Sequence, residues 1–542
     1  LVNDAGDDAA MTVVPQPTGL VPEHYRSVSE QLRENARACG EKIALQPVDG
    51  GDRLSWRQLS EYANRIAHFL KEKGVGANDR IAVLGENSLE NLILYYGIQA
   101  YGATYCTVNI EINRGHLIEV LARLDARIVL WDEALDLGVP DGARSGAWIS
   151  FGRRDNDATG LFAHLAALPA TADIEPVNGP EDICVISLTS GTAAAPKAVL
   201  HSFCNYFAIA EHVRARWSLG TTDRVLEFRS ISWASAHMLS LNPVLLTGGT
   251  LLFARRFSRR RLADWIGRYS PTVIVAVPTA INMLLEGAEA GKSGGMETGM
   301  GTGMGTVRFI SCSTAPLMVE QHRRFEERYG VPLIQLYGMS EGGVVAANDP
   351  ETRRIGSVGR AGLYQDLTIR GPGGVALGVG EIGEIETVSA QHAHAYLHAD
   401  GTVEPIRGHA LKTGDLGYLD RDGFLFITGR AKDVIIRGGV NIAPLEIDNA
   451  LMSHPDIAEA ATVGVPDAVY GEEVVSYVVR REGRTLDAET VMGHCADTLP
   501  EAKLPKDIVF TPEVPKNARG KIDRDALRAR WLAEAPESEV RR

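Results

Sequence analysis

The residues best suited to chemistry fall into short runs of hydroxyl, glycine, lysine and carboxylate side chains. The first run is Thr189-Ser-Gly-Thr-Ala-Ala-Ala-Pro-Lys197, which follows an apolar stretch holding Ile183, Val185, Ile186 and Leu188. Such a stretch reads as a buried strand. The loop behind it offers the hydroxyls of Thr189, Ser190 and Thr192, the bare backbone of Gly191 and the cation of Lys197. Hydroxyls, exposed amides and one lysine after a strand suit a phosphate. An ordinary Ser/Thr-rich turn has the same composition, and this run alone does not separate the two.

Later runs repeat the design. The stretch from Val331 to Leu336 reads as a strand and is followed by Tyr337, Gly338, Ser340 and Glu341. An aromatic face, a glycine for close approach and a carboxylate suit a base, a substrate and Mg²⁺ together. The strand opening at Val307 ends in small residues, Cys312 and Ser313 among them. Lys412-Thr-Gly-Asp415 and Thr428-Gly-Arg-Ala-Lys-Asp433 bracket a hairpin, turned by Asp420-Arg-Asp-Gly423 between Gly417-Tyr-Leu419 and Phe424-Leu-Phe-Ile427. Near the end, Pro515-Lys-Asn-Ala-Arg-Gly-Lys-Ile-Asp-Arg524 forms a basic loop that would bring Lys521 over an anion.

The elements that must position these runs alternate. Short strands (80–84, 102–108, 127–131, 250–253, 273–277) are separated by helical patterns (62–70, 89–100, 115–124, 258–269, 279–289), as in parallel α/β folds. Ser55 stands where a helix N-cap is needed. From about residue 365 short β segments take over, and the last hundred or so residues read as a compact α+β unit. A chain of 542 residues exceeds one hydrophobic core. The expectation is an α/β protein with a large multi-subdomain N-terminal domain, residues 20–431, and a small mobile α+β C-terminal domain, residues 432–542. Residues 1–19 are acidic and rich in Ala, Gly and Pro, and read as a disordered lead-in rather than a signal peptide.

Composition narrows the function classes. A net charge of −14 argues against nucleic acid and anionic membrane surfaces. No run of eighteen apolar residues marks a transmembrane helix. Six scattered cysteines without a C-x-x-C pair read as reduced thiols of a cytoplasmic protein. The arginines at 255, 256 and 259–261 read as a solvated helix start. Gly287-Ala-Glu-Ala-Gly-Lys-Ser293 resembles a Walker loop but is one residue short and follows a helix, and the Gly/Met/Thr-rich 294–306 reads as a mobile surface loop.

Taken in order, the runs at 189–197, 337–341, 413–415, 429–433 and 520–522 resemble the motifs of the adenylate-forming superfamily, which includes acyl-CoA synthetases, peptide-synthetase adenylation domains and luciferases. The similarity spans roughly 54–524. It implies an active site between the two domains and two half-reactions, in which a carboxylate and ATP give an acyl-AMP and pyrophosphate and a thiol then displaces AMP. It further implies that Thr189, Ser190, Gly191, Thr192 and Lys197 hold phosphates, that Tyr337, Gly338, Ser340 and Ser313 border the adenine nucleotide, and that Asp415 and Arg430 hold the ribose. By the same resemblance Glu341 binds Mg²⁺, Lys521 neutralises charge during adenylation, Lys432 is the hinge, and Gly438 and Gly439 line the CoA tunnel.

Trp233 occupies the position where amino-acid-activating relatives carry an aspartate, which argues against an α-amino acid. Trp233, Ser235, Cys312 and Gly342, with Ala234, Ala236, Ser313 and Gly343, would line a roomy pocket for an apolar acid. His237 has two readings, one beside the substrate carboxylate and one as a buried structural histidine. The chain departs from the family at Ala193, Ala194 and Ala198, where one hydroxyl and two glycines are lost. The leading expectation is an acyl-CoA synthetase. The alternatives are an enzyme limited to thioester formation on acyl-AMP supplied by a separate adenylating enzyme, a module loading a carrier protein, and a non-catalytic acyl-adenylate binder.

Overall fold

The computed structural model describes residues 22–110, 114–137, 146–154, 160–171, 174–188, 197–290, 304–398, 400–516 and 521–534, with the backbone alone for 287–290. The expectations for 1–19 and for the hydroxyl loop 189–196 lie outside these residues, as do 291–293 of the Walker-like run and 294–303 of the Gly/Met/Thr-rich stretch.

Two sheets carry the N-terminal part. The 8-stranded sheet is parallel through Ile183–Leu188, Thr104–Thr107, Arg80–Leu84, Ile128–Asp132 and Ala147–Phe151, and antiparallel through Ala198–Ser202, Ala395–Leu397 and Val403–Pro405. The 13-stranded sheet runs parallel from Ile43–Pro47 through Thr250–Phe253, Arg224–Glu227, Val273–Ala276 and Phe309–Cys312 to Leu333–Met339. It then turns antiparallel through Gly343–Ala347, Gly359–Ala361, Phe424–Arg430, Leu411–Leu419, Gly383–Ser389 and Gln365–Arg370.

The reason for two sheets is visible in the helix Leu89–Tyr101, every residue of which is buried. A helix apolar on all sides has to be enclosed on all sides. Its Leu92, Ile93, Tyr95 and Tyr96 share one core with Ile81 and Val83 of one sheet and Leu45, Leu251 and Val275 of the other. The helix Phe203–Arg216 is buried from Phe203 to Ala210 and opens to solvent only toward its end, which is why no amphipathic stripe announces it. Ser55 is the cap the sequence called for, its Oγ accepting from Gln58 N at 3.3 Å ahead of Trp56–Glu72.

The C-terminal part is a 5-stranded sheet built on the hairpin of Ile457–Asp467 and Gly471–Arg480, covered by Pro444–Met452 and Ala488–Ala496. Met318 packs into that core, and Val319 N donates to Asn449 Oδ1 at 3.3 Å. Arg255 and Arg256 pair with Glu86, and Arg261 pairs with Asp49 at 2.6 Å, so these arginines are held by surface ion pairs. Among the described residues no helix is long and apolar enough to cross a membrane.

Candidate functional site

Asp415 and Arg430 are direct cross-strand partners. The hairpin is longer than the sequence implied, pairing Leu411–Leu419 with Phe424–Arg430, so the first flanking run and Thr428–Arg430 of the second fall inside it. Its turn is fixed by Asp420, whose carboxylate accepts from the backbone of Asp422 and Phe424 at 2.9 Å each. Cross-strand pairing brings Arg430 Nε to 3.2 Å from Asp415 Oδ1. The Tyr337 hydroxyl donates to Asp415 Oδ2 at 2.6 Å. Burial first, and then the adjoining carboxylate, push the Tyr337 hydroxyl well above its ordinary value, so it stays a donor.

Tyr337 and Gly338 belong to the strand Leu333–Met339 and do not follow it, which corrects the boundary expected from sequence. The strand returns as Gly343–Ala347, leaving Ser340, Glu341 and Gly342 in the turn. Glycine at 338 answers a close approach, since a Cβ there would fall 2.4 Å from the carbonyl oxygen of Gly343.

A second group gathers around that turn. Ala395–Leu397 pairs with Ala198–Ser202, setting Tyr396 opposite Val199. The Lys197 ammonium lies over the Tyr396 ring, 4.7 Å from its centroid. Burial and the Glu341 carboxylate, which hydrogen-bonds it, push the Tyr396 hydroxyl up. Ala393 N also donates to Glu341 O at 2.8 Å, tying the turn to the chain entering Tyr396. Tyr396 thus contacts both Lys197 and Glu341, and Glu341 lies in the turn that follows the strand carrying Tyr337, itself bonded to Asp415. Sequence reasoning missed Tyr396, although the alternation of His392, Ala393, His394, Ala395, Tyr396 and Leu397 is a strand signal that could have found the element carrying it.

Ser313 is buried at the end of Phe309–Cys312, and its Oγ has no partner among the described residues. The next residue, Thr314, has φ +76°, a strained value for a β-branched side chain that points to a constrained site. Trp233 and Ser235 are half-buried, and Ala234, Ala236, Cys312, Gly342 and Gly343 are buried. His237 is fully buried and opens a π-helical turn, His237–Leu241. Its Nε2 faces Ile231 O at 2.6 Å and so carries the proton, while Nδ1 is unpartnered among the described residues. Burial pushes its pKa down to about 4, so the ring is neutral near pH 7. Of its two readings, the structural one has a visible bond.

A buried ion pair stands behind this wall. Arg229 contacts Glu227 through Nε at 2.9 Å and Nη2 at 2.5 Å, and their side chains are 2% and 0% exposed. Ser240 Oγ donates to Glu227 Oε2 at 2.7 Å, and Arg229 Nη1 donates to Ser235 Oγ at 3.3 Å. The available signal was two charges, two positions apart, at and just past the end of the strand Arg224–Glu227.

Ala198 lies in the extended strand Ala198–Ser202, opposite Leu188 and Leu397, and has no positive φ. Alanine in place of the family's glycine at 198 therefore carries no left-handed strain. Lys432 sits in the turn Ala431–Asp433, 3.7 Å from Asp525 Oδ2. Gly438 and Gly439 turn the hairpin of Ile435–Arg437 and Val440–Ile442 with φ +56° and +85°. Lys521 adjoins Ile522, which bridges Lys516 across the base of the loop.

The AMP-binding enzyme family matches residues 32–397, and the AMP-binding enzyme C-terminal domain matches 446–521. A sulfoacetate–CoA ligase of Cupriavidus necator is 32% identical over 513 residues, covering 93% of this chain and 97% of its own. An indoleacetate–CoA ligase of Aromatoleum aromaticum is 32% identical over 485 residues, covering 88% and 92%. ATP-bound MatB from Rhodopseudomonas palustris superposes with a TM-score of 0.81 at 26% identity, covering 93% of this chain and 99% of that one.

Proposed function

Since the chain belongs to the AMP-binding enzyme family and is an acid–CoA ligase, we propose that the two groups meeting at Leu333–Met339 form its nucleotide site. Membership implies use of ATP and CoA. The observation that carries the proposal is the convergence of Lys197, Tyr337, Glu341, Tyr396, Asp415 and Arg430 from separate strands and turns.

In this reading Asp415 accepts from the ribose hydroxyls, with Arg430 and Tyr337 holding it in place. Tyr337 offers its ring to adenine, and Ser313 has a spare hydroxyl for the nucleotide. Lys197 faces the phosphates, and the family resemblance assigns Thr189, Ser190, Gly191 and Thr192 to the same role. Glu341 suits Mg²⁺, which binds through one or two carboxylates plus substrate phosphates. The ion supplies charge neutralisation on those phosphates. Lys521 stabilises the charge that develops when the acid's carboxylate attacks the α-phosphorus and pyrophosphate leaves. The CoA thiol then displaces AMP.

A lysine at the phosphate and an open path for a thiol cannot share one space, so we place the division between domains at 431/432, with Lys432 as the hinge. Gly438 and Gly439 would then border CoA. Thioester formation alone, carrier loading and adenylate binding without catalysis are less favoured, because the relatives are named as ligases of free acids with CoA.

The test supplies ATP, Mg²⁺, CoA and a panel of free carboxylic acids, and follows acyl-CoA by mass spectrometry and pyrophosphate by release. Acyl-CoA with stoichiometric pyrophosphate is expected. Thioester from synthetic acyl-AMP but from no free acid would return the half-reaction alternative to first place.

A further inference from the structure

The wall expected to meet the acid is not uniformly apolar, because Arg229 and Glu227 lie against it. A buried ion pair adds little net stability, since desolvation of both charges offsets their attraction. Its retention calls for another explanation, and its geometry supplies one. Glu227 grips the Nε and Nη2 edge of the guanidinium at 2.9 and 2.5 Å. Glu227 is itself held by Ser240 Oγ at 2.7 Å and by Arg229 N at 2.8 Å. Asn87 Nδ2 fixes the backbone by donating to Arg229 O at 2.8 Å. The plane and direction of the guanidinium are thereby set before any ligand arrives.

Among the described residues the opposite edge faces Ser235 alone, through two long contacts for a charged donor: Nη1 reaches its Oγ at 3.3 Å and Nη2 its carbonyl oxygen at 3.2 Å. Ser235 is half-buried where its neighbours Ala234 and Ala236 are buried. The guanidinium's field reaches Cys312 and His237, where it favours the thiolate and disfavours the imidazolium. Arg229 therefore connects Ser235, Cys312 and His237, all of which the sequence had singled out for the acyl side of the site. A ligand oxygen taking the place of Ser235 Oγ would meet an oriented cation in a water-poor environment, where such a bond is strong.

Resting on the ligase reading above, we infer that Arg229 selects the acid: the substrate is a short carboxylic acid whose far end carries a second anionic or hydrogen-bond-accepting group, met by Arg229 Nη1. Glu227 is the positioning residue that aims it.

The experiment compares malonate and sulfoacetate with butyrate, an apolar acid of similar length, by kcat/KM for acyl-CoA formation. It uses the wild type, Arg229→Lys, and the charge-free double variant Glu227→Gln/Arg229→Met, which leaves no buried charge unpaired. The wild type should prefer at least one polar acid by about tenfold or more. The double variant should lose about 10–100-fold on that acid, the worth of one charged hydrogen bond, and change little on butyrate. Arg229→Lys should lie between, because an ammonium cannot keep the bidentate grip on Glu227. A wild type that prefers butyrate, or an unchanged ratio in a double variant with wild-type ATP binding, overturns the inference and leaves the ligase reading standing. Acyl-CoA from none of these acids also overturns it, while failure of the whole acid panel above would instead overturn the ligase reading.

Discussion

Replacing Arg524 tests whether the Lys521 loop depends on a buried anchor. Asp448 is fully buried in the helix Pro444–Met452 and accepts from Thr462 N at 2.7 Å. Arg524 Nη2 forms an ion pair with it, and Arg524 Nε donates to Thr462 O at 3.0 Å. Arg524 is three positions beyond Lys521 and opens the helix Arg524–Glu534. Arg524→Met leaves a carboxylate in the core without its cation, at a cost of about 3–5 kcal/mol. That is a large share of the roughly 5–15 kcal/mol a domain possesses. Asp448→Asn/Arg524→Met removes the charge as well, and should recover most of the loss in thermal unfolding.

The pH dependence has a definite sign. Burial raises the Asp448 pKa, with Arg524 opposing that shift, so the folded protein takes up a proton at higher pH than the unfolded chain. A raised carboxyl gives stability that is complete below the unfolded value, about 3.9, and lost as pH rises through the folded value. The single variant should therefore regain stability on acidification toward that range, and the double variant should not. In the folded double variant the loop has lost its anchor. Pyrophosphate release from free acid and ATP should fall by about tenfold or more, with thioester formation from synthetic acyl-AMP retained. A double variant as unstable as the single would refute the desolvation reasoning, and equal loss of both half-reactions would refute the positioning role.

Two other perturbations address the remaining parts of the site. Asp415→Ala removes the acceptor of both Tyr337 and Arg430, and should weaken acyl-AMP binding by about 10–100-fold in calorimetry; an unchanged affinity would misplace the nucleotide. Lys432→Pro fixes φ in the turn Ala431–Asp433, and should spare one half-reaction while abolishing the other, whereas equal loss in a folded variant would count against domain rotation.

What the sequence made legible follows a physical division. Strands such as Arg80–Leu84 and Val273–Ala276 could be read because parallel strands buried on both faces are continuous apolar runs. Tyr337 was legible as an aromatic face at a strand's end, the roles of Asp415 and Arg430 rested on family resemblance, and the meeting of all three depends on a hairpin register that no single run contains. Asp415 and Arg430 are adjacent only because the turn at Asp420 makes them partners. The role of Tyr396 was invisible for a related reason, since its place opposite Val199 comes from an antiparallel pairing between segments distant in the chain.

The pocket wall illustrates a different kind of illegibility. Small uncharged residues at 234–236 and at Cys312 suggested an apolar cavity, a sound inference from side-chain volume alone. Glu227 ends the strand behind that wall, and Arg229 lies two positions on, just past the strand, with its guanidinium turned back onto the Glu227 carboxylate. A buried charge is costly unless paired, and Glu227 finds its partner of opposite sign two positions on. The sequence therefore held the signal as a local exception to burial, while its relation to the acid site depended on the turn at Trp233 folding Ser235 onto the guanidinium.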